Sequence, residues 1–118
     1  MKADEKRGRM GAKKRSQGLC EVHLPGICLG WGHSIHHRKN RSQGGNWDIS
    51  NLLHVCGDGV RGCHGWITEN PKASYEKGWA VKGCWRPDEI PVLLVHDAEP
   101  VLLSDDGSFH RPIKGERP

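Results

Sequence analysis

The chain has 118 residues, a net charge of +4, five cysteines, eight histidines and sixteen glycines. That length holds one small domain. Ile, Leu, Val and Phe make up only about a fifth of it, so its core needs a staple, either a metal or disulfides. No apolar run reaches membrane-spanning length, and the high net charge of a disordered chain is missing. No secretory leader pattern is visible, so the reading is cytoplasmic, where Cys and His clusters point to metal more than to disulfides.

Charge divides the chain. Residues 1–15 carry seven Lys/Arg against Asp4 and Glu5. With almost no apolar residue there, residues 1–17 are expected to be a flexible basic arm. Lys13, Lys14 and Arg15 are its candidate phosphate contacts, since each neutralised phosphate releases counterions. Residues 18–82 are the expected core. Residues 83–118 are acidic and form an expected β-rich extension and tail, facing away from any polyanion.

In chain order, Gly18 to Gly32 reads as a loop or hairpin carrying Cys20 and Cys28. Residues 33–38 read as a short strand, 39–50 as a long polar loop with Gly44-Gly45 inside, and Ser50–Cys56 as a second strand. Residues 57–62 form a Gly-rich turn, and two turns of helix start at Cys63. Asn70 followed by Pro71 predicts an N-cap and a helix to Lys77, stopped by Gly78. Trp79–Lys82 reads as a short strand. Pro91–Val95 and Pro100–Ser104 read as edge strands, with a turn at 105–108 and a last strand beyond. Trp31, Trp47, Trp66 and Trp79 are expected in the core.

Cys20 and Cys28 have seven residues between them, and Cys56 and Cys63 have six. Two pairs about 30 residues apart are the layout of a tetrahedral zinc site, although the gaps exceed the usual two to four residues. His23, at Cys20-x-x-His23, is a rival fourth ligand. Cys84 is left over and read as a buried small hydrophobe.

His36 and His37 end the first strand, Asn51 starts the second, and His64 opens the helix after Cys63. Phosphodiester cleavage needs a base for water, and a neutral imidazole suits that near pH 7. It also needs a cation beside the phosphate and the departing oxygen. Neighbouring strand residues point to opposite faces, so His36 and His37 are expected to divide these roles, with His64 as a second metal ligand. Such a site suits Mg²⁺ or Mn²⁺, while its imidazoles also accept Zn²⁺ or Ni²⁺. Arg38, Lys39 and Arg41 follow the base and are candidate clamps on a nucleic-acid backbone, joined by Arg61 from the Gly-rich turn. His33 and His54 are read as structural.

These segments together resemble the HNH endonuclease family. The matching stretches are Ile35-His36-His37-Arg38 with Gly44-Gly45, Ser50-Asn51-Leu52-Leu53-His54-Val55-Cys56, and Gly62-Cys63-His64-Gly65-Trp66. The wider chain is similar to small HNH proteins of actinobacterial phages, through Leu19-Cys20-Glu21-Val22, Pro91-Val92-Leu93-Leu94 and Leu102-Leu103. The resemblance implies a small α+β fold with a ββα-metal core stapled by structural zinc. It implies His37 as general base, His36 and His64 as ligands of a catalytic divalent ion, and Asn51 as the residue that orients the loop. It implies hydrolysis of DNA by nicking or double-strand cutting, in the bacterial host cytoplasm. Phage terminase subunits are the partner that setting suggests, with no membrane and no small-molecule cofactor. Thr68 stands where some members carry a further imidazole, so a two-ligand site follows. Two other readings compete with a nuclease: a zinc-stapled nucleic-acid-binding module without catalysis, and a small disulfide-bonded structural protein.

Overall fold

Two four-residue stretches, Ser-Ile-His-His and Leu-Leu-His-Val, pair with each other. In the computed structural model, which describes residues 2–95 and 97–112, β1 (Ser34–His37) and β2 (Leu52–Val55) form an antiparallel ladder. Its register sets His36 opposite Leu53 and His37 opposite Leu52. All of β2 is buried and all of β1 is partly exposed, so β1 is the strand that presents side chains outward.

After β2 the chain reverses through Gly57 (φ 78°) and Gly62 (φ 65°), in the left-handed region. A Cβ on Gly57 would lie 2.0 Å from the Arg61 carbonyl oxygen, so only glycine closes this turn. Helix α2 (Gly62–Glu69) leaves the turn, and α3 (Pro71–Lys77) follows and ends at left-handed Gly78. Asn70 does not cap α3 with its side chain. Its amide donates instead to the Trp66 carbonyl at 2.8 Å and closes α2. Residues 79–82 form no strand; Val81 N–H donates to the Arg38 carbonyl at 2.7 Å. The C-terminal part is joined by a Val92–Val101 bridge and by the pair β3 (Leu102–Leu103) and β4 (Phe109–His110). The expected tail at 113–118 lies outside the described residues.

The N-terminal stretch departs from the expected flexible arm. It is a fourteen-residue helix, α1 (Ala3–Ser16), with Gly8, Ala12, Arg15 and Ser16 buried. No apolar stripe holds it. Small residues let its backbone approach closely: a Cβ on Gly8 would lie 2.3 Å from the Trp47 carbonyl oxygen, and one on Gly11 2.4 Å from Ile49 Cδ1. Hydropathy patterning is blind to a helix docked through glycines.

The described residues thus form a small α+β structure of three α-helices and two two-stranded sheets. One core joins Cys20, Val22, Leu53, Val55, Cys56, Cys63 and Ile67 to Trp79, Val92, Leu94, Val101 and Leu103. The C-terminal extension therefore packs on the same core as the strands and α2. Trp79 is buried, Trp66 packs against the core, and Trp31 is 63% exposed, contrary to its expected place. No helix of the described residues is long and apolar enough to cross a membrane.

Candidate metal centre and histidine cluster

The hairpin loop before β1 and the Gly-rich turn after β2 bring four thiols together. The sulfurs of Cys20, Cys28, Cys56 and Cys63 all lie within 4.8 Å of one another, and Cys28 and Cys56 are 3.8 Å apart. A zinc ion with bonds of about 2.3 Å to four sulfurs sets them about 3.8 Å apart. All five cysteines are free thiols, and Cys84 is exposed where a buried small hydrophobe was expected. Backbone N–H groups surround the cluster: Leu24 donates to Cys63 and Leu29 to Cys56 at 3.3 Å, Gly30 to Cys28 at 3.3 Å, and Cys63 to Cys56 at 3.2 Å. Donors aimed at sulfur stabilise thiolates, the form that binds metal. Burial raises Cys28 to about 11 and lifts Cys63 further, while N–H bonds from Cys63 and Leu29 outweigh burial and lower Cys56. Without a cation, so compact a group of thiols cannot all ionise. The cluster can hold a metal ion, and its chemistry suits zinc. His23 is exposed, with Nδ1 3.2 Å from the Cys28 sulfur; it is a hydrogen-bond partner of the cluster and no part of the four-thiol set.

β1 and the start of α2 bring His36 and His64 together. Their ring centroids are 5.3 Å apart at 65°. Two imidazoles bound side by side to one ion at about 2.1 Å have centroids about 4.5–5.2 Å apart, so the pair stands just beyond that spacing. Nε2 of His36 lies 2.7 Å from the Trp79 carbonyl oxygen. Nδ1 of His64 lies 2.7 Å from Ser34 Oγ, which donates to the Gly57 carbonyl at 2.8 Å. Burial pushes His36 down to about 4 against the pull of the Trp79 carbonyl, with His64 and His37 adding to the fall. Burial also lowers His64, opposed by Asp58. Both rings are neutral near pH 7, as metal ligands must be.

His37, on the opposite face of β1, packs edge-on against Trp47 with centroids 4.4 Å apart. Its Nε2 is buried and has no hydrogen-bond partner. Burial lowers its pKa first, then the charges of Arg41 and Arg9, against Glu5. Arg9 stacks on Trp47 at 4.8 Å and pairs with Glu5 at 3.0 Å, so α1 reaches the neighbourhood of His37. Asn51 is fully buried. Its Oδ1 accepts from Lys39 N–H at 2.8 Å, and its amide donates to the carbonyls of Lys39 (3.1 Å) and Asn46 (3.0 Å). One side chain therefore ties both ends of the loop that follows His37.

Two candidate phosphate contacts are misplaced by the sequence reading. Arg38 is 2% exposed and donates to four carbonyls, those of Gly78, Ser50, Pro87 and Ile90, at 2.7–2.9 Å. Arg15 is 8% exposed and holds Glu21 through Nε at 2.8 Å. Neither can reach a nucleic-acid backbone, because folding encloses each guanidinium among acceptors. Lys13, Lys14, Arg41 and Arg61 are exposed. Lys39 is half-buried, with Nζ 3.2 Å from the Trp85 carbonyl.

Ser34 and the Trp79 carbonyl were invisible as site groups, although Ser34 stands two residues before His36 on the same strand face, a spacing that points to it. His33 accepts the Gly57 N–H at 3.0 Å, and buried His54 meets Ser16 Oγ at 2.7 Å. No family model, curated protein or solved structure matches the chain.

Proposed function

We propose that this chain is a metal-dependent endonuclease of the HNH type that hydrolyses DNA phosphodiester bonds. The observation that carries the reading is the approach of His36 on β1 to His64 on α2, 5.3 Å between centroids. Both rings are held through their second nitrogen, beside a four-thiol cluster that staples the same turn.

In this reading His36 and His64 hold a divalent ion, which supplies positive charge at the phosphate. His37 takes the proton of the attacking water; its depressed pKa keeps it neutral, and its unpartnered Nε2 is the kind of buried polar atom that a catalytic role explains. The water oxygen bonds to phosphorus, and the bond from phosphorus to the departing sugar oxygen breaks. Asn51 fixes the loop beside the base. Arg41, Arg61, Lys39, Lys13 and Lys14 contact the backbone. Zinc fills the four-cysteine site as a structural ion. Terminase subunits as partners, a phage setting and a cytoplasmic location follow from the resemblance alone.

Plasmid cleavage with Mg²⁺, Mn²⁺ or Ni²⁺ tests the reading. Cleavage is expected to fall at least a hundredfold in His37→Ala with zinc content unchanged. Full cleavage by His37→Ala removes the assigned base. Tight DNA binding without cleavage under every ion favours the non-catalytic binding module, which needs the cysteines and basic groups but not the three histidines.

A further inference from the structure

The hydrogen-bond partners of His36 and His64 decide which nitrogen of each ring is free. A carbonyl oxygen only accepts, so Nε2 of His36, 2.7 Å from the Trp79 carbonyl, carries the proton and Nδ1 keeps its lone pair. Ser34 has one hydroxyl hydrogen and spends it on the Gly57 carbonyl. Its oxygen therefore accepts from Nδ1–H of His64, and Nε2 of His64 keeps its lone pair. The two rings take opposite tautomers, each set by a group outside the ligand pair.

The geometry points to Ser34 and the Trp79 carbonyl as positioning groups that make His36 Nδ1 and His64 Nε2 a two-nitrogen seat that takes a transition-metal ion in preference to Mg²⁺. This deepens the reading above and rests on it. Among the described residues, the only group of three or more Cys, His, Asp or Glu side chains with metal-ligand proximity is the cysteine cluster. No carboxylate therefore joins the two imidazoles. Asp58, the acidic group whose charge acts on His64, is exposed and turns Oδ1 to the N–H groups of Val60 and Arg61 at 2.9 and 3.0 Å. Mg²⁺ selects oxygen ligands and yields its waters reluctantly. Imidazole nitrogen suits Zn²⁺, Ni²⁺, Cu²⁺ and Fe²⁺. Partners that fix a ligating histidine typically change metal affinity about 10–100-fold.

Nitrogen NMR of the histidine-labelled, zinc-stapled chain tests this without any cleavage assay. Expected are the Nε2–H form for His36 and the Nδ1–H form for His64. A further equivalent of Zn²⁺ shifts His36 Nδ1 and His64 Nε2, and millimolar Mg²⁺ shifts neither. Ser34→Ala mixes the two tautomers of His64 and weakens the second zinc at least tenfold, and Ser34→Thr restores both. The opposite tautomer at either ring of the parent protein overturns the proposal, even if Ser34→Ala fails to fold. So does Mg²⁺ binding at these nitrogens. An inactive protein with the stated tautomers rejects the nuclease and leaves this site standing; an active one with other tautomers does the reverse.

Discussion

Arg15 follows exposed Lys14 and Arg38 precedes half-buried Lys39, yet each is enclosed. Arg15 meets both oxygens of Glu21 and the carbonyls of Ile49 and Leu52, and Glu21 also accepts the backbone N–H of His54 at 2.8 Å. One carboxylate thus joins α1, the cysteine loop and β2. Both members of the pair are 1% exposed at the side chain, so losing one leaves a buried unpaired charge. Arg15→Ala is expected to lower unfolding free energy by about 3–5 kcal/mol in urea titrations. Arg15→Met with Glu21→Leu should cost less than Arg15→Ala alone. Lys13 and Lys14, the two residues before Arg15 in α1, are exposed. Replacing either by Gln is expected to leave stability within about 0.5 kcal/mol and, on the proposed nuclease reading, to reduce the salt slope of DNA affinity by about 1. Residue type and neighbourhood cannot separate these cases, because the buried acceptors come from chain positions 6 to 52 residues away.

Helix α1 exists through contact with the loop after β1 and with β2. Helix propensity favours Ala over Gly by about 1 kcal/mol, so Gly8→Ala ought to stabilise an isolated helix. Here the new methyl meets the Trp47 carbonyl oxygen at 2.3 Å and Leu52 Cδ1 at 2.9 Å. Overpacking against backbone costs about 1–3 kcal/mol. Gly8→Ala is expected to lower the melting temperature, and a rise would show that α1 is not docked as described. The β1–β2 pair, α2 and α3 were legible because local signals agree: the apolar run of β2, a glycine turn, and Pro71 and Gly78 at the ends of α3. The docking of α1 and the bond between Asn70 and Trp66 were not, since both depend on what lies across the fold.

At the scale of the molecule, the four cysteines clamp the hairpin loop to the β2–α2 turn, and three of them sit inside the shared core. A metal bound there contributes to folding itself. The purified chain is expected to carry one zinc at the thiols, by mass spectrometry under native conditions. Chelation is expected to remove cooperative unfolding or lower its midpoint sharply, and Cys63→Ser to do the same. Unchanged melting after metal removal would reduce the cluster to four free thiols.

The sequence by itself determined the cysteine set, the short strands and the helix that follows them, because side-chain chemistry and turn residues act over a few positions. It also brought His36, His37, Asn51 and His64 to the junctions of those elements. Only the tertiary structure decided that the basic N-terminal stretch is a docked helix, that Arg15 and Arg38 are buried, and that Ser34 and the Trp79 carbonyl hold the two facing imidazoles. Burial and hydrogen-bond partnership belong to pairs of distant segments, and no local pattern carries them.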